Sequence, residues 1–162
     1  MLEYKTKYFK FNGISIKAKE YGIGPPVILV HGWPETYYSW RHQIKPIAKK
    51  GFKVIAINMR GYDGSYSPLK IEKYDMLSMV SDIVNIIKTQ NYDTAILIGH
   101  DWGAPICWNT AALHPDKVSA VLGLSVPFTR RGSLSSTELW RKIYKNIFFY
   151  QTYFQKVGIP ER

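Results

Sequence analysis

The stretch LIGHDWGAP, residues 97–105, places an aspartate at the end of a run of aliphatic residues. Small residues stand two positions before Asp101 and two and three positions after it, at Gly99, Gly103 and Ala104. This spacing is typical of a sharp, strained turn from strand to helix, because bulky neighbours would collide there. The stretch therefore predicts a strand, a tight turn at Asp101 and a helix that begins near Gly103.

Further strands are indicated on both sides of this turn. Residues 8–11 and 14–18 flank the pair Asn12-Gly13, which favours a β-hairpin. Beyond them lie the short aliphatic runs PVILVH, FKVIAIN, TAILIG and VSAVLGLS. These runs show little alternation of apolar and polar residues, which indicates strands covered on both faces.

Helical patterns lie between the strands. Apolar residues recur with helical spacing at positions 76, 79, 80, 83, 84 and 87. A second helix is expected from about Pro46 to Gly51, and a third from about Gly103 to His114. The alternation predicts the α/β class, with a doubly wound, mostly parallel sheet and the hairpin as an antiparallel edge.

A change of composition indicates a second structural unit. The segment SLSSTELWRKIYKNIFFYQTYFQ begins at Ser133 and is helical in pattern and strongly aromatic. We therefore expect residues 1–132 to form the core and residues 133–162 to begin a separate helical unit.

Composition limits the classes of function. The net charge is +10, but the 22 Lys and Arg residues are scattered and form no run of five, so we expect no nucleic-acid partner. No segment approaches the roughly 18 consecutive apolar residues of a membrane span, and the amino terminus lacks a secretory pattern. We therefore expect a cytoplasmic protein without a membrane partner. Cys107 is the single cysteine and is interpreted as a packing residue, and no metal site is expected.

The position of Asp101 suggests that its carboxylate takes part in a reaction. Turns at the carboxyl ends of parallel strands face the crevice where ligands bind, and the following helix start favours a negative charge. The backbone N–H of Trp102 would point towards a developing oxyanion, and the turn containing Trp33 would supply a second donor. The alternative is that Asp101 only caps the following helix.

Four motifs together carry a resemblance. HGWPE at 31–35, YYSWRHQ at 37–43, MRGYDGS at 59–65 and GHDWGA at 99–104 resemble the α/β-hydrolase fold family and, within it, the epoxide hydrolases. The resemblance extends from about residue 8 to the end of the chain, in the family's order and spacing. A lone G-x-D-x-G would be a weak signal.

The resemblance implies roles for individual residues. Asp101 matches the nucleophile that attacks an epoxide carbon and forms an alkyl-enzyme ester, while Trp33 and Trp102 match the backbone oxyanion-hole positions. Tyr150 matches the first of two cap tyrosines that hydrogen-bond the epoxide oxygen. The alternative is that Tyr150 is one more aromatic residue in the core of the cap. The implied substrate is a small epoxide, and the resemblance implies no cofactor.

Other matched positions are interpreted as structural. His31, Gly32 and Pro34 would shape the oxyanion turn, and the resemblance implies a cis peptide before Pro34. The loop after the FKVIAIN strand would be held by Arg60, Gly61, Gly64 and Ser65. His100 and His114 are expected to be satisfied by local hydrogen bonds rather than to act in catalysis.

Dehalogenases of the same fold are the alternative enzyme class. They use the same aspartate to displace a halide. Haloalkane dehalogenases usually have Asn where this chain has Trp33, and fluoroacetate dehalogenases usually have Arg where it has Trp102. Both departures favour an epoxide substrate, although a mixed substrate range stays open.

The main departure from the family is the lack of a catalytic acid and histidine after the aspartate. The only histidine beyond Asp101 is His114, which is too close in sequence for the order of an α/β-hydrolase. We therefore expect a sheet of this type truncated after the sixth strand, followed by the start of a helical cap. At most one slow covalent event, without efficient turnover, is expected from this chain alone.

That departure opens a second hypothesis of a different class. The chain is then a non-catalytic fragment, which pairs with a complementing carboxyl-terminal half or self-associates through the exposed edge strand VSAVLGLS. A stand-alone binding module that uses the aromatic segment is the third hypothesis.

Overall fold

The computed structural model describes residues 4–128, together with Lys142 and Gly158. The chain divides into two compact units, Met1–Phe128 and Thr129–Arg162, and the following description concerns the first. The expected helical cap and Tyr150 lie outside the described residues.

Six strands and three α-helices make up the first unit. The strands are β1 (Lys5–Phe11), β2 (Ile14–Tyr21), β3 (Pro26–Val30), β4 (Lys53–Ile57), β5 (Ala95–His100) and β6 (Val118–Leu124). The helices are α1 (Ile44–Lys49), α2 (Met76–Lys88) and α3 (Gly103–Leu113), and short 3-10 turns occupy Tyr37–Trp40, Ile71–Tyr74 and Pro115–Lys117. All the strands and helices predicted in this part of the sequence are present.

The strands form one sheet in the order β1-β2-β4-β3-β5-β6. β1 pairs antiparallel with β2, and β2 pairs antiparallel with β4. The remaining neighbours, β4 with β3, β3 with β5 and β5 with β6, are parallel. The prediction of a mostly parallel sheet with an antiparallel hairpin at one edge is confirmed.

Helices cover both faces of the sheet, as a doubly wound fold requires. On one face Ile83 of α2 and Ile106 of α3 pack with strand residues such as Ile28 and Ile55. Cys107 is buried in the same core, and burial raises the pKa of its thiol. Its interpretation as a packing residue is confirmed.

The opposite face carries α1. Ile44 and Ala48 of this helix pack with Val27, Leu29 and Trp40. The predicted start of α1 at Pro46 was two residues late, because the helix begins at Ile44 and Pro46 occupies its first turn, where its missing N–H costs no hydrogen bond. Gly51 follows the helix with a φ of +88°, which agrees with its predicted role in ending it.

β6 is the exposed edge strand predicted for the run VSAVLGLS, so the cover on both faces expected of the other aliphatic runs does not extend to it. Within the described residues β6 pairs only with β5, and it lies at the edge of the sheet. Leu122 and Leu124 are 51% and 40% exposed. Part of the apolar surface of this strand is therefore left exposed.

Candidate active site

The candidate site lies where three parallel strands end. β3, β4 and β5 stop at Val30, Ile57 and His100, and these neighbouring strands share one carboxyl edge of the sheet. The loops that begin at His31 and Asp101 therefore meet there, although they are far apart in the sequence.

The turn after β5 is as tight as its sequence predicts. Asp101 has a φ of +49°, in the left-handed region that residues other than glycine rarely adopt. A Cβ atom at Gly99 would lie 2.3 Å from the carbonyl oxygen of Gly103. One at Gly103 would lie 2.2 Å from the carbonyl oxygen of Val30, so neither position accepts a side chain without a shift of the backbone.

Backbone hydrogen bonds hold this turn on both sides. The N–H of Asp101 donates to the carbonyl oxygen of Leu124 at 3.2 Å, and the N–H of Ala104 donates to that of Asp101 at 3.0 Å. α3 begins two residues after Asp101, so its amino end is close to the carboxylate. The aligned peptide dipoles there favour a negative charge.

The loop after β3 contacts the carboxylate directly. The N–H of Trp33 donates to Oδ1 of Asp101 at 2.9 Å. A Cβ atom at Gly32 would lie 2.4 Å from Cβ of Asp101, so glycine is required for this close approach. The peptide between Trp33 and Pro34 is cis, as the resemblance implied.

For the second expected donor, the N–H of Trp102, the structure shows the position but no hydrogen bond to the Asp101 carboxylate within residues 4–128. Trp102 directly follows Asp101 and precedes α3. Among the hydrogen bonds formed by residues 4–128, however, only the one from Trp33 reaches the carboxylate. A role for the N–H of Trp102 stays a prediction.

His31 holds the loop from inside the core. It is fully buried, and its Nε2 accepts a hydrogen bond from the N–H of Met59 at 3.0 Å. Its Nδ1 lies 2.7 Å from the carbonyl oxygen of Gly32 and therefore carries the proton. Burial lowers the pKa of His31, which favours this neutral form. The ring therefore joins the loops after β3 and β4.

An open cavity of about 510 Å³ lies at the same edge of the sheet. Its walls are mainly aromatic and thioether side chains, which suit a small apolar ligand. The lining residues are Trp33, Met59, Arg60, Gly61, Tyr62, Tyr74, Met79 and Trp102. Both tryptophans that flank the carboxylate thus contribute to the cavity.

Tyr62 is a member of this wall to which the sequence motif had assigned no role. Its ring packs edge-on against His31, with 4.5 Å between the centroids. Burial raises the pKa of the Tyr62 phenol, and the negative charges of Asp101 and Glu35 add to that shift. The phenol therefore stays protonated at neutral pH and can donate a hydrogen bond.

The loop after β4 is held by a buried ion pair. Arg60 and Asp82 are each 3% exposed, and two hydrogen bonds of 2.7 Å join the guanidinium to the carboxylate. Arg60 also donates to the carbonyl oxygens of Lys73 and Ser78. Burial raises the pKa of Asp82, and the contact with Arg60 opposes that shift. The predicted structural role of Arg60 in this loop is confirmed.

His100 and Glu35 form a second pair that the sequence did not reveal. His100 Nδ1 lies 3.1 Å from Oε2 of Glu35, and both side chains are 36% exposed. Glu35 also donates its N–H to the carbonyl oxygen of Gly32. The prediction of a local hydrogen bond was wrong for the His100 side chain, because its partner Glu35 lies 65 residues away in the sequence and no local pattern could identify it.

The described residues provide neither a metal site nor a membrane span. No three or more His, Cys, Asp or Glu side chains among residues 4–128 are grouped closely enough to hold an ion. In the same part of the chain, no helix has the length and apolar character needed to cross a bilayer.

The fold and this site define a class of protein. Residues 25–157 match the model of the alpha/beta hydrolase fold. The chain belongs to the α/β-hydrolase fold family.

Similar proteins within this family carry more specific names. Epoxide hydrolase A of Mycobacterium tuberculosis is 43% identical over 152 residues, which cover 93% of this chain and 47% of that protein. Bifunctional epoxide hydrolase 2 of Rattus norvegicus is 41% identical over 150 residues, which cover 92% of this chain and 27% of that protein.

Solved structures agree with these relatives. The crystal structure of epoxide hydrolase A from Mycobacterium thermoresistibile superposes with a TM-score of 0.91 at 41% identity, and covers 97% of this chain and 50% of that one. The chain thus spans about half the length of these two bacterial relatives. The resemblance inferred from the four motifs is confirmed.

Proposed function

We propose that Asp101 is the nucleophile of an epoxide hydrolase reaction. One carboxylate oxygen attacks an epoxide carbon, a new ester C–O bond forms, and the ring C–O bond breaks. The ring oxygen leaves as an alkoxide and takes up a proton, and we assign Tyr150 as the donor because a phenol is protonated at neutral pH. Trp33 and Trp102 provide N–H groups for the oxyanion that forms when water later attacks the ester carbonyl.

The observation that carries this proposal is the hydrogen bond from Trp33 N–H to Asp101 Oδ1, at 2.9 Å in a turn with a φ of +49°. A residue that only capped α3 would direct its carboxylate to the N–H groups of that helix. Within residues 4–128, no side-chain hydrogen bond caps the amino end of α3, and the Asp101 carboxylate accepts from Trp33 in the neighbouring loop instead. The aromatic cavity beside the two tryptophans supplies a binding site for the epoxide.

We further propose that this chain by itself stops at the ester. Hydrolysis needs a base beside the ester, and the only histidine after Asp101 is His114. His114 stands at the far end of the 11-residue helix α3, which at 1.5 Å per residue is about 16 Å from its start. His31 has both ring nitrogens engaged in the core.

The test is to incubate the folded chain with styrene oxide and to locate the adduct by peptide mass spectrometry. We expect a stoichiometric adduct on Asp101 that is lost in Asp101→Asn. Asp93→Asn is the matched control, because Asp93 is an exposed carboxylate away from the site, and the adduct should persist in it. A folded chain without an adduct on Asp101 contradicts the proposed chemistry.

Two further measurements separate the alternatives. Diol formed beyond one equivalent per chain would contradict the proposed arrest at the ester. Incubation with 1-bromobutane tests the dehalogenase alternative. If Asp101 is alkylated and bromide is released while styrene oxide gives no adduct, the substrate is a halide.

A further inference from the structure

A second cavity lies on the face of the sheet that α1 covers. Its volume is about 260 Å³, and it shares no lining residue with the cavity lined by Trp33 and Trp102. The residues that line it are Tyr4, Lys19, Tyr37, Tyr38, Arg41 and Ile44. We call it the tyrosine pocket.

Cationic groups lie over the aromatic rings of the tyrosine pocket. Nζ of Lys19 is 5.6 Å from the ring centroid of Tyr37. The guanidinium carbon of Arg41 is 4.7 Å from that of Tyr38. Such contacts hold a cation in place without neutralising its charge.

Among residues 4–128, no carboxylate pairs with these cations, and neither Lys19 nor Arg41 takes part in a salt bridge. Lys19 donates to Oγ1 of Thr6 at 2.7 Å, and Nη1 of Arg41 donates to the carbonyl oxygen of Tyr38 at 3.2 Å. An ammonium has three N–H donors and a guanidinium five, so both retain donors for an anion.

Strand register explains why Lys19 points to this pocket. Lys19 on β2 is the register partner of Thr6 on β1 and of Ala56 on β4. Register partners share a face of the sheet, and Ala56 belongs to the core on the α1 side. Ile44, the first residue of α1, is 1% exposed and supplies an apolar floor.

We propose that the tyrosine pocket binds a small aromatic carboxylate. The carboxylate is recognised by Lys19 and Arg41 through charge-assisted hydrogen bonds. The aromatic ring packs against Tyr37, Tyr38 and Ile44, since aromatic rings stack favourably on one another in an offset arrangement. The net charge of +10 strengthens the attraction for an anion. This ligand is not the epoxide proposed for Asp101, because the two cavities are separate.

The probe for this site is 2-naphthoate, titrated into the 162-residue chain by calorimetry and followed by ¹H–¹⁵N NMR. We expect saturable binding, with shifts at residues 37–44 rather than at Trp33 and Trp102. The double variant Lys19→Gln/Arg41→Gln should weaken binding about tenfold or more, because two hydrogen bonds to charged groups are lost. Neutral 2-naphthamide should bind about tenfold more weakly than the carboxylate, for the same reason.

Two controls keep the result interpretable. Lys10→Gln/Lys88→Gln removes the same charge from two exposed positions outside the pocket and should leave the affinity unchanged. Tyr38→Leu, at a residue that is 61% exposed, should weaken binding without loss of the fold. Equal affinity for naphthamide, equal weakening in the two double variants, or shifts confined to Trp33 and Trp102 would overturn the proposal.

Discussion

The backbone N–H of Trp33 donates a hydrogen bond to the carboxylate of Asp101 at 2.9 Å, across 68 residues of sequence. The two residues meet because β3 and β5 are parallel neighbours whose carboxyl ends lie side by side. Gly32 permits the approach, since any side chain there would occupy the position of the carboxylate. The proposed reaction therefore depends on the contact between two turns.

Gly32→Ala tests that contact. The added methyl group would lie 2.4 Å from Cβ of Asp101, so the loop or the carboxylate must shift. Because a displacement of about 1 Å can slow a reaction on the order of 100-fold, we expect adduct formation with styrene oxide to slow by about that factor. The rate is measured by mass spectrometry at a series of times.

The matched control is Gly13→Ala in the hairpin turn. Gly13 also has a positive φ, +75°, but a Cβ atom there meets nothing within 4 Å. This variant should lose about 1–2 kcal/mol of stability and keep the rate of adduct formation. An unchanged rate in Gly32→Ala would show that the close approach is not needed for reaction.

Because Arg60 and Asp82 form a buried ion pair, we expect substitution of one partner alone to cause a large loss of stability. Arg60→Met leaves the Asp82 carboxylate buried without its partner and should lower the free energy of unfolding by about 3–5 kcal/mol. The double variant Arg60→Met/Asp82→Leu removes both charges and should be no less stable than the single one. Urea unfolding measures both.

A partly exposed ion pair is the control for this measurement. Lys7 and Glu20 lie 3.1 Å apart, and their side chains are 40% and 17% exposed. Lys7→Met should lower the free energy of unfolding by about 1 kcal/mol or less. If Arg60→Met lowers the free energy of unfolding by as little as Lys7→Met does, the buried ion pair does not stabilise the fold as predicted.

Protonation of His31 should destabilise the fold at mildly acidic pH. Burial lowers the pKa of this residue below its ordinary value of 6.5, so the unfolded chain takes up the proton first. Stability is therefore fully present above about pH 6.5 and declines below it, by at most about 1.4 kcal/mol per pH unit. Urea unfolding at about pH 7.5 and about pH 5.5 gives the difference.

His31→Gln removes this titrating group and should reduce the pH dependence, even if it lowers stability at both pH values. His42→Gln serves as the control because His42 is exposed, and it should retain the dependence of the original chain. An identical pH dependence in His31→Gln and the original chain would refute the assignment.

The exposed edge strand predicts self-association of this chain. Among residues 4–128, β6 pairs only with β5 and exposes Leu122 and Leu124, and edge strands of this kind pair with other chains. Sedimentation velocity should show oligomers that increase with concentration, and Leu122→Lys/Leu124→Lys should shift the chain towards monomer. Leu69→Lys is the control, since Leu69 is fully exposed but lies outside the strands. A monomer at all concentrations contradicts this prediction.

Local patterns were sufficient for much of the fold. The helical stripe from Met76 to Ile87 corresponds to α2, and the pair Asn12-Gly13 forms the hairpin turn with two positive φ values. The small residues around Asp101 predicted the tight turn, because steric limits on a turn act between near neighbours. The position of Asp101 also indicated a donor in the turn containing Trp33, and the family resemblance matched Trp33 to that role.

Other parts of the site had no local signal. Asp82 reads as an ordinary polar residue on α2, yet it is the buried partner of Arg60. The pairing of His100 with Glu35 and the charged tyrosine pocket likewise join residues from separate elements.

The sequence by itself thus determined the strands, the helices and the turn at Asp101, since each depends on residues only a few positions apart. The tertiary structure alone decided which turns meet, which charges are buried together and where the cavities lie. The physical reason is that β4 inserts between β2 and β3, and β3 between β4 and β5. Side chains far apart in the chain become neighbours only through that order of strands.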